Sequence, residues 1–278
     1  MIELYHQSSS RVSKLITRAY STSFSLGILG LKKKYRRPIY NIYGFVRVAD
    51  EIVDSFHGFD KRTLLKRFWK ETELALKEGV SANPVLHSFQ ETVNKYKIDS
   101  NLIDTFLTSM EMDLDDRTYE QEDYEKYILG SAEVVGLMCL KVFVDGDEAY
   151  YEKLKSNAMK LGSAFQKINF LRDVSADYNL LGRTYFPNID FSEFNDDAKR
   201  EIEKDIAIDF RIGYRGILDL PKGTRFGVYI AYMYYFSLFK KIMGTASGSI
   251  FKTRIRIKNS KKYMLFASSY VRHVFNFL

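Results

Sequence analysis

The sequence contains very few cysteines, prolines and histidines, which bears in turn on disulfides, on helix breaks and on histidine metal sites. Its 278 residues include one cysteine, so an intrachain disulfide is excluded and a reducing compartment is favoured. Cys139 lies in the apolar stretch VVGLMCLKVF, where we expect a buried thiol. Four prolines leave long segments free to form helices. The histidines show no ligand spacing, so we expect them on the surface or in local hydrogen bonds: His6, His57, His87 and His273.

Long apolar runs are also missing. The most apolar stretch, FGVYIAYMYYFSLF at residues 226–239, is well short of the roughly 20 residues that a membrane-spanning helix needs, so we expect a buried helix there. The first residues, MIELYHQSSSRVSKL, lack the continuous apolar segment of a secretory signal. These absences predict a cytoplasmic protein without a transmembrane segment.

The formal net charge of +7 is compatible with nucleic acid, a membrane surface or an anionic substrate as partner. We do not expect nucleic acid, because zinc-finger spacing, an RNA-binding aromatic signature and a long basic tail are all missing. The last segment, KKYMLFASSYVRHVFNFL, is basic and amphipathic. It predicts either a peripheral contact with anionic lipid or a last helix packed on the core.

Aromatic residues are abundant, with 20 tyrosines and 21 phenylalanines. Core packing explains most of such an excess, and an aromatic-walled cavity is the alternative. Apolar residues recur at spacings of three and four along most of the chain, whereas strand-like alternation is scarce. The pattern predicts helices near residues 8–26, 36–57, 61–78, 83–96, 100–115, 122–143, 147–179, 196–219, 224–244 and 259–275. Without an internal repeat or a low-complexity linker, residues 1–278 are expected to form a single all-α domain.

Two stripes of oxygen-bearing side chains stand out within these helices. In the stretch VRVADEIVD, spacings of four, three and four place Tyr43, Arg47, Asp50 and Asp54 on one helical face. An isolated acidic pair of this kind is usually a solvated surface. A second stripe makes that interpretation hard to maintain, because spacings of three, four and four again place polar side chains on one face of a helix with apolar flanks: Gln166, Asn169, Asp173 and Asp177.

Carboxylate and amide oxygens are hard ligands. They suit Mg²⁺, which takes one or two carboxylates, keeps several waters and completes its shell with substrate phosphate oxygens. Zinc and redox metals are poorly served by such a ligand set. A third acidic stretch, MEMDLDDR, contains Asp113, Asp115 and Asp116, and we expect a solvated helix end there.

Three stretches together resemble a known family: YSTSFSLGILGLKKKYRRPIYNIYGFVRVADEIVD, YILGSAEVVG and GSAFQKINFLRDVSADYNLLGRTYFP. Two Asp-x-x-x-Asp motifs, an Arg-x-x-Asp before the first and a Gly-Arg-x-Tyr-x-Pro after the second occur in the order found in the squalene and phytoene synthase family. The resemblance covers nearly the whole chain. Among members, the sequence looks closest to bacterial phytoene synthases, notably those of flavobacteria.

The resemblance implies an all-α isoprenoid synthase fold with the two motifs facing each other across a deep central cavity. It implies that Mg²⁺, or Mn²⁺ in its place, is bound by Asp50, Asp54, Asn169, Asp173 and Asp177, and that no nicotinamide cofactor is used. Tyr43 and Arg47 join the aspartates in the catalytic set. Further substrate contacts are implied at matching positions: Ser21, Ser23, Phe24, Tyr127, Gly136, Gly162, Gln166, Asn169, Arg172, Tyr235 and Arg254.

Three functions remain open. The first is phytoene synthesis, in which two geranylgeranyl diphosphates condense through a cyclopropyl diphosphate. The second is the synthesis of squalene or dehydrosqualene from two farnesyl diphosphates, which would require a shallower cavity. The third is a family member that has lost catalysis and acts in assembly or binding, and such a protein should have lost the aspartates that this chain retains. The oligomeric state is not indicated by the sequence.

Two positions depart from the family pattern. Glu51 replaces an aspartate that some members have, and Ala176 stands where many members carry glutamate. SAEVVG is also a loosened form of the usual Val-Ala-Gly-x-x-Gly. None of these departures removes an expected metal ligand.

Overall fold

In the computed structural model, residues 2–115, 119–181, 186–187, 194–250 and 254–274 are described, with side chains left out at 175–181 and 274. Helices account for most of these residues, and the described residues contain no strand. The α-helices are α1 Ile2–Tyr20, α2 Thr22–Leu29, α3 Lys33–Asp54, α4 Lys61–Glu78, α5 Pro84–Tyr96, α6 Ser100–Met112, α7 Gln121–Ile128, α8 Val134–Phe143, α9 Glu148–Leu181, α10 Asp196–Asp219, α11 Lys222–Met243, α12 Ser247–Ile250 and α13 Asn259–Val274.

Local capping explains the helices whose bounds the sequence predicts best. The Asp60 carboxylate accepts a hydrogen bond from the Thr63 amide at 3.0 Å at the start of α4, and Gly79, with φ +70°, ends that helix. Asn83 caps α5 in the same way, and Pro84 occupies the first helical position. These signals are local in sequence, so they fix helix ends without knowledge of the tertiary fold.

The predicted helix 8–26 is wrong, because the chain forms two helices that meet at Ser21. Ser21 adopts an extended conformation (φ −142°, ψ 106°), and its hydroxyl accepts the amide of Phe24 at 3.2 Å, which starts α2. The predicted start of α3 was also late, since the helix begins at Lys33 and contains Pro38 in its interior.

The predicted helix 122–143 is interrupted by a π-helical turn, Leu129–Glu133. Gly130 lies against α6 at this turn. A Cβ atom at Gly130 would come within 2.5 Å of the Ser109 Cβ and 2.7 Å of the Thr105 carbonyl oxygen. The turn therefore depends on close packing between helices that are distant in sequence.

Two hydrophobic clusters form most of the core. In the first, the Phe45 ring stacks on Phe89 at 3.9 Å and lies 5.6 Å from Phe106, joining α3, α5 and α6. The second joins α9, α10 and α11, with Phe210 and Phe239 among its fully buried side chains. Within the described residues, no helix is both long and apolar enough to cross a bilayer.

Two expectations about polar residues are wrong. His87 is fully buried and contacts His6, which is 81 residues away, so the contact is neither on the surface nor local. Asp113 is only 4% exposed rather than solvated, because the end of α6 faces α7 and the Tyr127 hydroxyl donates to its carboxylate at 2.7 Å. Asp115 is more exposed and pairs with Arg62 at 2.6 Å, whereas Asp116 lies outside the described residues.

Candidate active site

A cavity of about 360 Å³ runs between the helices of the two core clusters. Its walls come chiefly from α2, α3, α8, α9, α10 and α11, and apolar side chains dominate them. The aromatic residues on the walls are Phe24, Tyr43, Phe106, Tyr127, Phe143, Phe165 and Tyr235. The excess of aromatic residues thus serves both of the predicted purposes, because these seven line the cavity while others fill the core.

The α3 stripe lies at one end of this cavity. Tyr43, Arg47 and Asp50 belong to the cavity wall, and Asp54 is the last residue of α3. The Arg47 guanidinium pairs with the Asp50 carboxylate at 2.6 Å and also with Glu51. The first predicted face is therefore an arginine-bridged group of carboxylates that opens into an apolar space.

Burial makes ionisation costly at this face. It raises the pKa of Asp50 to about 6, and the charge of Asp54 adds to the increase while Arg47 opposes it. Burial likewise raises the pKa of Tyr43, although Arg47 and the Ser21 side chain counteract it. The charge of Asp54 disfavours ionisation of Asp50, which is the condition that a bound divalent cation relieves.

The α9 stripe provides the second polar face. Gln166 and Asn169 line the cavity, and the Asn169 amide donates to the Gln166 side-chain oxygen at 3.3 Å. Farther along the helix, Asp173 accepts a hydrogen bond from Arg172 Nε at 3.0 Å and pairs with Arg254 Nε at 2.6 Å. Asp177 lies on the same helix, but its side chain is outside the described residues.

The second face is electrostatically different from the first. Burial opposes the charge on Arg172, yet the hydrogen bonds and the charge of Asp173 raise the pKa of this guanidinium above its usual value. Asp173 thus has two arginine partners, whereas Asp50 has one that it shares with Glu51. Such arginines are suited to binding a phosphate group by two parallel hydrogen bonds.

Aromatic rings connect the two faces. The Phe24 ring lies 5.3 Å from Tyr43 and 6.4 Å from Tyr235. Tyr235 stacks on Phe165 at 4.0 Å, and its hydroxyl donates to the Asn169 side-chain oxygen at 3.4 Å. Burial raises the pKa of Tyr235 to about 12, so it remains a neutral phenol. The structure therefore brings the predicted residues of α2, α3, α9 and α11 to one end of the cavity.

The remaining predicted substrate contacts occupy different positions. Ser21 caps α2 beside Tyr43, and Ser23 is half-buried in the first turn of α2 but is not among the described residues that line the cavity. Tyr127 does line the cavity, while its hydroxyl points to Asp113. The contact of Asp113 with this lining residue was not predicted, because nothing in the acidic stretch around it indicates a tyrosine partner.

Gly136 and Gly162 line the cavity as well, but they also permit close helix packing. A Cβ atom at Gly162 would lie 2.8 Å from the Ala132 carbonyl oxygen, and one at Gly136 would lie 3.2 Å from the Ala158 carbonyl oxygen. Both contacts are with backbone atoms of neighbouring helical segments. The two glycines therefore let α9 approach the π-helical turn and α8 across the cavity wall.

Some lining residues were not predicted. Gly213, Gly216 and Gly227 contribute to the wall, and an isolated glycine within a helical pattern is a signal that could have indicated a close approach. Cys139 also lines the cavity and is half-buried rather than buried, since one side faces the cavity space. Burial raises the pKa of its thiol to about 12, so it is an unreactive wall residue.

The residues at the cavity end fit a magnesium ion better than a softer metal. The described part of both stripes offers carboxylate and amide oxygens, and neither histidine nor cysteine belongs to either stripe. The raised pKa of Asp50 agrees with this fit, because a nearby positive charge would remove the cost of ionising it.

Solved structures with the same architecture define the class of the fold. A dehydrosqualene synthase crystallised with a ligand superimposes with a TM-score of 0.82 at 20% identity, covering 96% of both chains. The squalene synthase HpnC from Alicyclobacillus acidocaldarius gives a TM-score of 0.75 at 20% identity over 86% of this chain and 94% of its own. The chain thus has an all-α isoprenoid synthase fold.

Residues 17–260 match the model of the squalene/phytoene synthase family, and the chain belongs to that family. It is 28% identical over 195 residues to 4,4'-diapophytoene synthase from Staphylococcus haemolyticus, covering 68% of this chain and 66% of that protein. It is 26% identical over 288 residues to 15-cis-phytoene synthase from Synechocystis, covering 94% of this chain and 84% of that protein. It is also 26% identical over 278 residues to phytoene synthase 1 from Zea mays, covering 92% of this chain and 66% of that protein.

Proposed function

We propose that the protein is a Mg²⁺-dependent prenyltransferase that condenses two geranylgeranyl diphosphates head to head, giving phytoene. The observation that carries this proposal is the meeting of two oxygen-rich helical faces at one end of a single apolar cavity. One end suits a charged diphosphate and the rest suits a hydrocarbon chain. Relatives named phytoene synthase support the choice of reaction.

The carboxylates and the arginines of the two polar faces have distinct tasks in this proposal. Asp50, Asp54, Asn169, Asp173 and Asp177 would hold Mg²⁺, which neutralises the charge that grows on the departing diphosphate. Arg47, Arg172 and Arg254 pair with carboxylates of these faces. In the complex, the same guanidinium groups would turn to diphosphate oxygens, leaving the carboxylates to the metal.

The apolar wall has the task of keeping water away from the carbocation left after ionisation. Phe24, Phe165 and Tyr235 lie next to the polar end, and their ring faces can stabilise passing positive charge. Tyr43 stays protonated because burial raises its pKa. It is therefore a hydrogen-bond donor to the diphosphate, and a diphosphate oxygen is the better acceptor for the final proton.

The α9 wall of the cavity is long enough for a twenty-carbon substrate, whereas the α3 wall matches a fifteen-carbon one. On α3 the lining residues extend over eleven residues, from Asp50 to Ile39. On α9 they extend over fifteen residues, from Asn169 to Leu154. At about 1.5 Å per residue these stretches correspond to about 16 Å and about 22 Å. An extended isoprene unit of four bonds of about 1.5 Å advances about 5 Å, so four units need about 20 Å and three need about 15 Å.

A fifteen-carbon substrate is the second candidate. The names of the diapophytoene and dehydrosqualene synthases among the similar proteins favour farnesyl diphosphate and a squalene-type product. Such a chain would leave about 7 Å of apolar cavity unfilled on the α9 side, by the same geometry. A non-catalytic role is the least supported of the three, because the acidic residues of both faces are retained.

Product analysis tests the proposal. Purified protein with Mg²⁺ is incubated separately with geranylgeranyl and farnesyl diphosphate, and the extracted hydrocarbons are identified by mass. We expect a forty-carbon product that disappears in Asp50→Ala and Asp173→Ala. A thirty-carbon product alone would assign the protein to the squalene branch, and no product with either substrate would support the non-catalytic alternative.

We also propose a peripheral membrane contact through α13, at the inner face of the cell membrane. One face of this helix packs on α11, where the Phe266 ring lies 5.9 Å from Phe226. Its other side exposes Tyr263, Met264 and Val271 by 53–60%, next to the basic segment 258–262. Packing of the helix on the core leaves this basic, apolar surface available for the proposed lipid contact.

Sedimentation with phosphatidylglycerol vesicles at low salt tests the membrane contact. We expect the protein to pellet with these vesicles and not with phosphatidylcholine vesicles, and Met264→Glu to weaken pelleting. Val80→Glu is the matched control, because Val80 is exposed by 44% in the loop between α4 and α5. Equal pelleting of the two variants, or none for the wild type, would contradict the contact.

A further inference from the structure

Three groups with ligand atoms come together outside the cavity, between α1 and α5. His6 Nδ1 lies 2.8 Å from His87 Nε2 and 2.9 Å from Glu91 Oε1. His87 and Glu91 are four residues apart on α5, so they share one helical face. The cluster joins the beginning of the chain to a helix that begins 78 residues after His6.

The cluster is closed on one side and open on the other. His87 is fully buried, whereas the side chains of His6 and Glu91 remain 23% and 26% exposed. Arg37 Nη2 pairs with Glu91 Oε2 at 2.9 Å and leaves Oε1 directed towards the histidines. A small ion could enter from the open side, and a water molecule could complete its coordination there.

The protons of the three groups cannot satisfy every contact at once. The Ser81 amide donates to His87 Nδ1 at 3.3 Å, so a neutral His87 carries its proton on Nε2 and directs it to His6 Nδ1. His6 Nδ1 must then be unprotonated, yet it lies 2.9 Å from a carboxylate oxygen that also only accepts. If His6 Nδ1 carries the proton instead, it can donate to Glu91. A neutral His87 that accepts at Nε2 must then carry its own proton on Nδ1, where it meets the N–H of the Ser81 amide.

We propose that His6 Nδ1, His87 Nε2 and Glu91 Oε1 bind a divalent transition-metal ion of the zinc class, with water as the fourth ligand. Two imidazoles and one carboxylate form a ligand set that Zn²⁺ accepts in proteins. A cation takes the three lone pairs that otherwise face one another. Coordination through Nε2 leaves the proton of a neutral His87 on Nδ1, so the Ser81 amide, which lies in the short loop before α5, has to turn away from its 3.3 Å contact with that atom.

The ligand atoms must separate slightly to hold the ion. Zn–N distances of about 2.0–2.1 Å in a tetrahedral site require ligand atoms about 3.3 Å apart, compared with 2.8 and 2.9 Å here. His6 can supply this movement, because it lies in the second turn of α1 with its side chain partly exposed.

The bound ion would connect α1 to α5 and act structurally rather than catalytically. Titration of tag-free, chelator-treated protein with Co²⁺, in the presence of excess Mg²⁺, tests this site by visible absorption. Mg²⁺ occupies the oxygen ligands at the cavity end, while the nitrogen ligands prefer Co²⁺. We expect one equivalent of tetrahedral Co²⁺ that Zn²⁺ displaces, and at least tenfold weaker binding in both His6→Ala and Glu91→Gln.

His57→Ala is the matched control, because His57 is an exposed histidine outside the cluster. We expect Zn²⁺ to raise the melting temperature of the wild type and of His57→Ala but not of His6→Ala. Less than one equivalent of Co²⁺, or equal binding by the wild type and the two cluster variants, would overturn the proposal. Hydrocarbon synthesis with Mg²⁺ is read separately, so failure of this site and failure of the proposed function are distinguishable.

Discussion

Replacing Asp50 by asparagine should stabilise the folded protein while abolishing its activity. The pKa of Asp50 rises from 3.8 to about 6, because its carboxylate is buried beside Asp54. At 1.36 kcal/mol per pKa unit, ionising Asp50 in the folded state costs up to about 3 kcal/mol. Its side chain is 33% exposed, so solvent screening reduces the expected gain to about 1–2 kcal/mol.

The gain should depend on pH in a defined direction. A raised folded-state pKa gives stability that is fully present below pH 3.8 and is lost as the pH rises through about 6. The asparagine side chain, which does not ionise, would resemble the protonated carboxyl at every pH. The advantage of Asp50→Asn over the wild type should therefore be small near pH 4 and largest above pH 7.

Urea denaturation at pH 4.5 and pH 7.5, without Mg²⁺, measures this difference. Asp197→Asn is the control, because the Asp197 side chain is 87% exposed and does not line the cavity. We expect no comparable gain for the control. An Asp50→Asn protein that is less stable than the wild type at pH 7.5, or a difference that does not change with pH, would refute the reasoning.

Two further predictions concern the helices around the site. Gly162→Ala should lower the unfolding free energy by about 1–3 kcal/mol relative to Gly136→Ala. The new Cβ atom would lie 2.8 Å from the Ala132 carbonyl oxygen at position 162, but 3.2 Å from the Ala158 carbonyl oxygen at position 136. Equal melting temperatures of the two variants would contradict this. Lys167→Met should cost about 3–5 kcal/mol, since it leaves Asp209 buried without its 2.6 Å partner. Lys160→Met, which removes a partly exposed 3.3 Å partner of Asp209, should cost under about 1 kcal/mol in the same urea titration.

The sequence predicts parts of this fold that depend on local signals. The bounds of α4 and α10 agree with expectation, because Asp60, Gly79 and Asn195 mark helix ends by their own hydrogen bonds and backbone angles. The π-helical turn was not predictable, since it depends on Gly130 packing against Ser109 of another helix.

The candidate site, too, is predictable from the sequence where relations lie within one helix and not where they join distant helices. Helical spacing alone predicts that Asp50 shares a face with Arg47, and that Gln166 shares one with Asn169, because these relations exist within one helix. The pairing of Arg254 with Asp173 joins residues 81 positions apart and was not predicted, since resemblance to the family indicated Arg254 only as a substrate contact. The contact between His6 and His87 has no sequence signal at all, since it exists only after α1 packs on α5.

Binding of an unreactive geranylgeranyl thiodiphosphate, followed by calorimetry with and without Mg²⁺, tests most directly whether the two faces form one site. We expect tight binding only with Mg²⁺, and a loss of at least tenfold in affinity from Asp50→Ala on α3 and from Asp173→Ala on α9 alike. Binding that is unchanged by Mg²⁺, or that survives the loss of either aspartate, would contradict the account.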